Sequence, residues 1–373
     1  MTAITLKGMT WSDPRGYDPV VAAARDFAAR HPGVTIAWDK RSLQGFETTP
    51  VDELATTYDL MVIDHPHVGA IVAEDCLLPF DAPEVARLAS ETVGKSHASY
   101  YYAGRQWALA IDTAAQVQAI RPDRRPAPAT RFAEVLEAAR AGRVLWPLRP
   151  PHVLMSFFTL AANLGTPCAV LPGPLLPGAV GAQVLAAMQA LADAVDPACH
   201  GMDPIAALDA LADSARHDLI PLTYLYATYA RDGYRAAPIR FHDIAALGQS
   251  GPLGSALGGT GIAVSARTRH PDLAMRFALE LAGAAMQRGL YAQNNGQPGN
   301  ALAWGDAAVN AAVNGAYHQT RMTHEAAWLR PRHAGYMGFQ EEGSAILADA
   351  LRGKTTHAAA LIALDHRFQE SFG

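Results

Sequence analysis

Lysine is almost missing from this 373-residue chain: it occurs only at Lys7, Lys40, Lys95 and Lys354, so arginine carries nearly all the positive charge. The balance of 30 Lys+Arg against 35 Asp+Glu leaves a formal net charge of -5, with no run of five basic residues. This excludes the basic stripe of a nucleic-acid-binding surface, and no nucleic-acid partner is expected. Cysteine is scarce as well. Cys76, Cys168 and Cys199 are widely spaced with no CxxC pair, so neither a zinc site nor a disulfide framework is indicated. One disulfide, Cys168 to Cys199, is compatible with the count, and none is required. No uninterrupted apolar run approaches the ~20 residues of a membrane-spanning helix. Catalytic motifs are missing too: there is no GxSxG elbow, no GxxxxGK[ST] loop, no HExxH, and no GxGxxG after a strand. A catalytic activity and a cofactor are therefore not expected.

Half of the residues are hydrophobic and 17% are charged, so the chain can bury large cores. At roughly 100 to 200 residues per domain, its length fits two α/β domains. Ile4-Thr5-Leu6-Lys7-Gly8-Met9-Thr10-Trp11 reads as a first strand. Asp18 is placed to cap a following helix, with Pro19 at its first position. Val34-Thr35-Ile36-Ala37-Trp38 reads as a second strand, and the apolar run Tyr58 to Asp64 as a third, buried in a parallel sheet. Val144 to Leu148, Leu219 to Tyr226 and Pro238 to His242 are strand-like. Helices are expected over His152 to Leu164, Gly178 to Val195, Pro204 to His217, Gly343 to Leu351 and Thr356 to Phe372.

Late in the chain, Gly258-Gly259-Thr260-Gly261 feeds the apolar strand Ile262-Ala263-Val264-Ser265. His270-Pro271-Asp272 then starts a helix running through Leu290, and Asn294-Asn295-Gly296-Gln297-Pro298-Gly299 closes the unit. This succession resembles the crossover segment of the extracellular solute-binding proteins of sugar-type ABC importers, the maltodextrin-binding-like group. Other segments resemble the same family. Tyr58-Asp59-Leu60 leads to a loop and then to Leu77-Leu78-Pro79-Phe80-Asp81; Gly104 to Asp112 resembles its "G-K-x-Y-A-L-P" strand, with Ala110 in place of proline. Pro128-Ala129-Thr130-Arg131-Phe132 resembles a helix start with Thr130 as N-cap, and Arg352-Gly353-Lys354-Thr355 resembles the closing "L-x-G-K" signature.

The resemblance implies a two-lobed type II periplasmic-binding fold, each lobe a mostly parallel sheet flanked by helices. Lobe 1 is expected over 1–110 plus 258–300, and lobe 2 over 111–257 plus 301–373. It implies a monomeric binder that closes about a hinge on a small solute and delivers it to an ABC permease. No basic n-region or apolar h-region precedes the first strand, so two compartments stay open: periplasmic for a mature chain, or cytoplasmic for a relative that senses, sequesters or transforms a phosphate- or carboxylate-bearing metabolite.

Ligands of open α/β sheets gather outside the carboxyl ends of strands. That rule and the resemblance select Trp11, Ser12, Asp13, Arg15, Asp64, His65, His67 and Asp112. From the second lobe they select Trp146, Arg149, Tyr224 and Tyr226; from the crossover Gly258, Gly259, Thr260, Asn294 and Gln297; and from a later loop Arg332. His65 and His67 straddle Pro66, an arrangement that suits packed neutral imidazoles as well as a metal, but no third and fourth ligands are evident and no metal is expected. The set is richer in Arg, His and Asp than in paired aromatics, which points to a small polar or anionic solute, a sugar, sugar acid or phosphorylated metabolite.

Overall fold

A computed structural model describes residues 3–42, 45 and 50–373. The chain divides into two compact units. The first comprises Met1–Thr113, Gly258–Ala311 and Arg332–Ala334; the second comprises Ala114–Leu257, Ala312–Pro331 and Gly335–Gly373.

The first unit is built on a sheet in the order Val34–Arg41, Ile4–Trp11, Leu60–Asp64, Thr260–Ser265, Leu77–Leu78, with Leu109–Ala110 also paired to Thr260–Ser265. The first three strands run parallel, as their helical crossovers require. Thr260–Ser265 enters antiparallel, placing Thr260 opposite Asp64 and Val264 opposite Leu60. Leu6, Met9, Leu60, Met61, Val62, Ile262 and Val264 are fully or almost fully buried, and they meet Val20 and Phe27 of the helix Pro14–Arg30 and Phe277 of the helix Pro271–Ala282. This continuous apolar character is what a sheet covered on both faces demands.

In the second unit Ala114–Ile120 is buried at every position and pairs antiparallel with Leu219–Tyr224 and Arg240–His242. The expectation of mostly parallel sheets therefore describes the start of the first unit, whereas these two ladders of the second run antiparallel. Two glutamines inside the central strand are tolerated because their amides are satisfied. The Gln116 carbonyl accepts from Thr159 Oγ1 at 2.6 Å, and the Gln118 amide donates to the Ala129 and Asp243 carbonyls at 2.7 Å each. The helices His152–Asn163, Gly178–Ala192, Tyr336–Leu351 and His357–Glu370 pack against one another beside this sheet.

Several boundaries differ from expectation. The first helix starts at Pro14, not Pro19: Asp13 is its N-cap, its carboxylate accepting from the Arg15 backbone N–H, and Pro19 lies inside the helix. The helix from Pro271 ends at Ala282, because Gly283 adopts extended angles, and Gly289 breaks the path to Leu290 a second time. Val144 to Leu148 forms no strand; it makes a single parallel bridge, Val144 to Leu219. Thr130 is not the helix N-cap, which is Arg131, yet its hydroxyl and backbone N–H both donate to the Glu134 carboxylate. Cys76, Cys168 and Cys199 are free and buried. Among the described residues, no helix is long and apolar enough to cross a membrane.

Candidate functional site

Three strands of the first unit bring polar groups to one place. Ile4–Trp11 ends in Ser12 and Asp13; Leu60–Asp64 ends in a 3-10 turn, His65–His67, capped by Asp64; Thr260 stands opposite Asp64 in the next strand. The backbone of Asp112 and that of Thr260 exchange hydrogen bonds in both directions at 3.1 Å, which draws Asp112 into the same group. Asp112 and Arg15 form a buried ion pair, with Arg15 Nε donating to Asp112 Oδ2 at 2.7 Å and Nη2 to Oδ1.

The charges in this group influence one another. Burial pushes the Asp112 carboxyl up from its ordinary value, while the Arg15 guanidinium pulls it back and Asp64 raises it further. Asp13 is also raised, mainly by burial, against the opposing Arg15 backbone hydrogen bond and charge. Asp13 and Asp112 thus share the guanidinium of Arg15, a residue 4% exposed. Asp64 keeps 22% of its side chain exposed, with Oδ1 3.2 Å from His65 Nδ1. The Thr260 hydroxyl is buried and has no hydrogen-bond partner among the described residues.

The other expected residues of this unit have different surroundings. Trp11 lies in the apolar core, Ser12 is exposed, and His65 and His67 are buried in their turn, His65 standing edge-on to Tyr100 at 6.2 Å. Gly258 ends a short strand, and Gly259 takes φ +96, a left-handed angle that a side chain rarely adopts. The Asn294 amide donates to Leu290 O at 2.8 Å, within its own helix end, and Gln297 donates to Thr113 O at 2.6 Å. Arg332 is bound to its own fold: Nη1 donates to the carbonyls of Ala98, Ser99 and Tyr101. Among the described residues, no three His, Cys, Asp or Glu side chains stand close enough together to hold a metal ion.

In the second unit Trp146 is fully buried, its indole N–H donating to Ser156 Oγ at 3.3 Å. Arg149 pairs with Asp203 at 2.7 Å. Tyr226 is 5% exposed, and Tyr224 is half-buried at the end of its strand. The His152 ring meets that of Tyr224 at 6.2 Å.

The sequence matches no protein-family model and no curated protein. Solved structures match it from end to end. The GacH receptor of Streptomyces glaucescens, solved without ligand and with acarbose, aligns over 100% of this chain and 99% of its own at 15% identity with a TM-score of 0.82. Maltose-bound MalE3 of T. maritima covers 99% and 100% at 15% identity and 0.83. An ABC transporter solute-binding protein of Agrobacterium radiobacter K84, in complex with ribitol, covers 99% of each chain at 17% identity and 0.75. This chain has the fold of an ABC solute-binding protein. The type II architecture that the resemblance implied is present over the whole length, at identities where likeness speaks for fold.

Proposed function

We propose that this protein is the substrate-binding component of an ABC transporter and captures a small neutral polyhydroxyl solute, a sugar or a polyol, releasing it unchanged. The observation that carries the reading is the polar group of the first unit, where the partly exposed Asp64 carboxylate faces the unpartnered Thr260 hydroxyl across paired strands. A carboxylate accepts from ligand hydroxyls, and a threonine hydroxyl both donates and accepts. The end-to-end fold likeness to receptors solved with acarbose, maltose and ribitol supports it.

The geometry weighs against an anionic solute. The arginines that sequence alone offered as grips for phosphate or carboxylate are engaged by the protein itself: Arg15 by Asp112, Arg149 by Asp203, and Arg332 by three carbonyls. An anion approaching Asp13 and Asp64 meets like charge. A permease partner, a monomeric binder and a periplasmic setting belong to this reading.

A thermal-shift screen followed by calorimetry tests it. Maltose, ribitol and related neutral sugars and polyols are compared with sugar acids and sugar phosphates. A neutral ligand at 100 times its dissociation constant stabilises by about 2.7 kcal/mol and is recovered unchanged. Stabilisation by the anionic compounds alone reverses the assignment of charge, and chemical conversion of the ligand removes the binding role.

A further inference from the structure

The polar group of the first unit is tied to one buried ring. Tyr100 ends the 3-10 turn Ala98–Tyr100 and is 1% exposed. Its backbone is fixed on both sides, the N–H donating to His97 O at 3.1 Å and the carbonyl accepting from the Trp107 N–H at 3.0 Å. Its hydroxyl donates to Ile63 O at 3.0 Å and, more weakly, to Gly259 O at 3.4 Å. Ile63 is the residue before Asp64, and Gly259 is the residue before Thr260. One phenol therefore joins the two chain segments that deliver the carboxylate and the hydroxyl of the proposed site.

Strand pairing alone holds these segments less firmly. Thr260 opposite Asp64 is the terminal pair of its ladder, and the end of a ladder opens more readily than its middle. The phenol reaches both carbonyls because Gly261, which pairs with Ile63, has no side chain: a Cβ there would lie 2.8 Å from Tyr100 Cζ. The far side of Asp64 meets the same ring, since His65 stands edge-on to it at 6.2 Å and places Nδ1 3.2 Å from Asp64 Oδ1. A buried carbonyl that loses its donor carries a desolvation cost or shifts to find another partner. Loss of the Tyr100 hydroxyl would thus be felt at the backbone beside Asp64 and Thr260.

We infer that Tyr100 is a positioning residue for solute binding: it touches no solute, and its hydroxyl presets the spacing of Asp64 and Thr260 before one arrives. The inference rests on the solute-binding reading given above and adds to it the group that pre-organises the site. Groups already held in the bound geometry raise affinity by reducing the entropy lost on binding. The test is calorimetric titration of maltose and ribitol into wild-type protein, Tyr100→Phe and Tyr58→Phe, with the unliganded melting temperature of each. Tyr58 is the control: it precedes the strand Leu60–Asp64 at the end away from Asp64, and its hydroxyl donates to Asp39 Oδ2 at 3.1 Å. Both variants keep their ring and lose one hydrogen bond, so both should melt slightly below wild type. Tyr100→Phe should bind about fivefold or more weakly, with the loss in the entropy of binding, whereas Tyr58→Phe should bind as wild type does.

Wild-type affinity in Tyr100→Phe overturns the inference and leaves the solute-binding reading standing. An equal loss of affinity in Tyr58→Phe overturns it too, since the effect would then be one of general stability. A wild-type protein that binds neither compound, nor any other neutral sugar or polyol of the screen, removes both readings. Should Tyr100→Phe fail to fold, amide hydrogen exchange of the unliganded wild type decides. The Thr260 N–H, which donates to Asp112 O at 3.1 Å, must exchange slowly before any solute is added, and rapid exchange that slows only in the bound protein overturns the inference.

Discussion

Arginine 15 shows why a residue type does not fix a role. Its position just past the first strand suggests a fork waiting for an anion, yet its partner, Asp112, comes from 97 residues further along the chain. Sequence spacing carries no information about such a pair. With side-chain exposures of 5% and 0%, neither charge retains water to fall back on. Removing one partner of a buried pair leaves the other uncompensated, at a cost of about 3 to 5 kcal/mol. Arg15→Met is therefore expected to lose that much in urea unfolding, and the double variant Arg15→Met with Asp112→Leu to regain a substantial part of it. Additive losses in the double variant would mean that the two side chains do not act as a pair. By contrast the positions of Asp64 and Thr260 at a strand end and a glycine crossover are local signals, and the fold brings the two into register.

Elements were most readable where apolar periodicity was long, and least where two capping signals competed. Asp13-Pro14 and Asp18-Pro19 are equally good helix starts on paper. The earlier one prevails because Asp13 caps the helix, which then extends by five further residues while Pro19 is accommodated inside it. Val144 to Leu148 has strand composition but bridges at one residue only, since its later backbone turns elsewhere, the Leu148 N–H donating to Cys199 O. A different kind of element contact fixes the helix Val68–Glu74. A Cβ placed on Gly69 would lie 2.0 Å from the Arg332 carbonyl oxygen and 2.6 Å from the His333 carbonyl carbon, both backbone atoms that cannot rotate away. Gly69→Ala should therefore destabilise by roughly 2 kcal/mol or more, through displacement of the Arg332–Ala334 segment. The readout is the urea midpoint at constant slope. A variant with wild-type stability would show that this packing is looser than the geometry states.

Across the whole molecule, burial shifts titrations in two opposing directions, and their windows decide the outcome. His97 and His152 are held uncharged, their pKa values lowered from 6.5 to about 4, in both cases chiefly by burial. His200, His217, His242 and His333 are lowered as well, again with burial first among the causes. The unfolded chain takes up these protons near pH 6.5 and the folded chain only near pH 4, so stability is fully present above pH 6.5 and declines as pH falls towards 4. Asp13, Asp112 and Asp243 are raised by burial and carry the opposite sign: the folded state holds their protons more tightly, and they lose stability as pH rises from 3.8 through their folded values. The carboxyls therefore oppose the histidines, and the histidine loss begins where the unfolded imidazoles first take up protons, near pH 6.5. Scanning calorimetry should show a melting temperature that is flat near pH 7 and drops as the pH is lowered from 6.5 to 5. The deficit expected from His97 and His152 together is on the order of a few kcal/mol. His152→Phe removes one of the two strongly shifted groups, so its melting temperature should fall less steeply over the same interval. A wild-type melting temperature unchanged between pH 7 and pH 5 would mean that these imidazoles are reached by water in the folded chain.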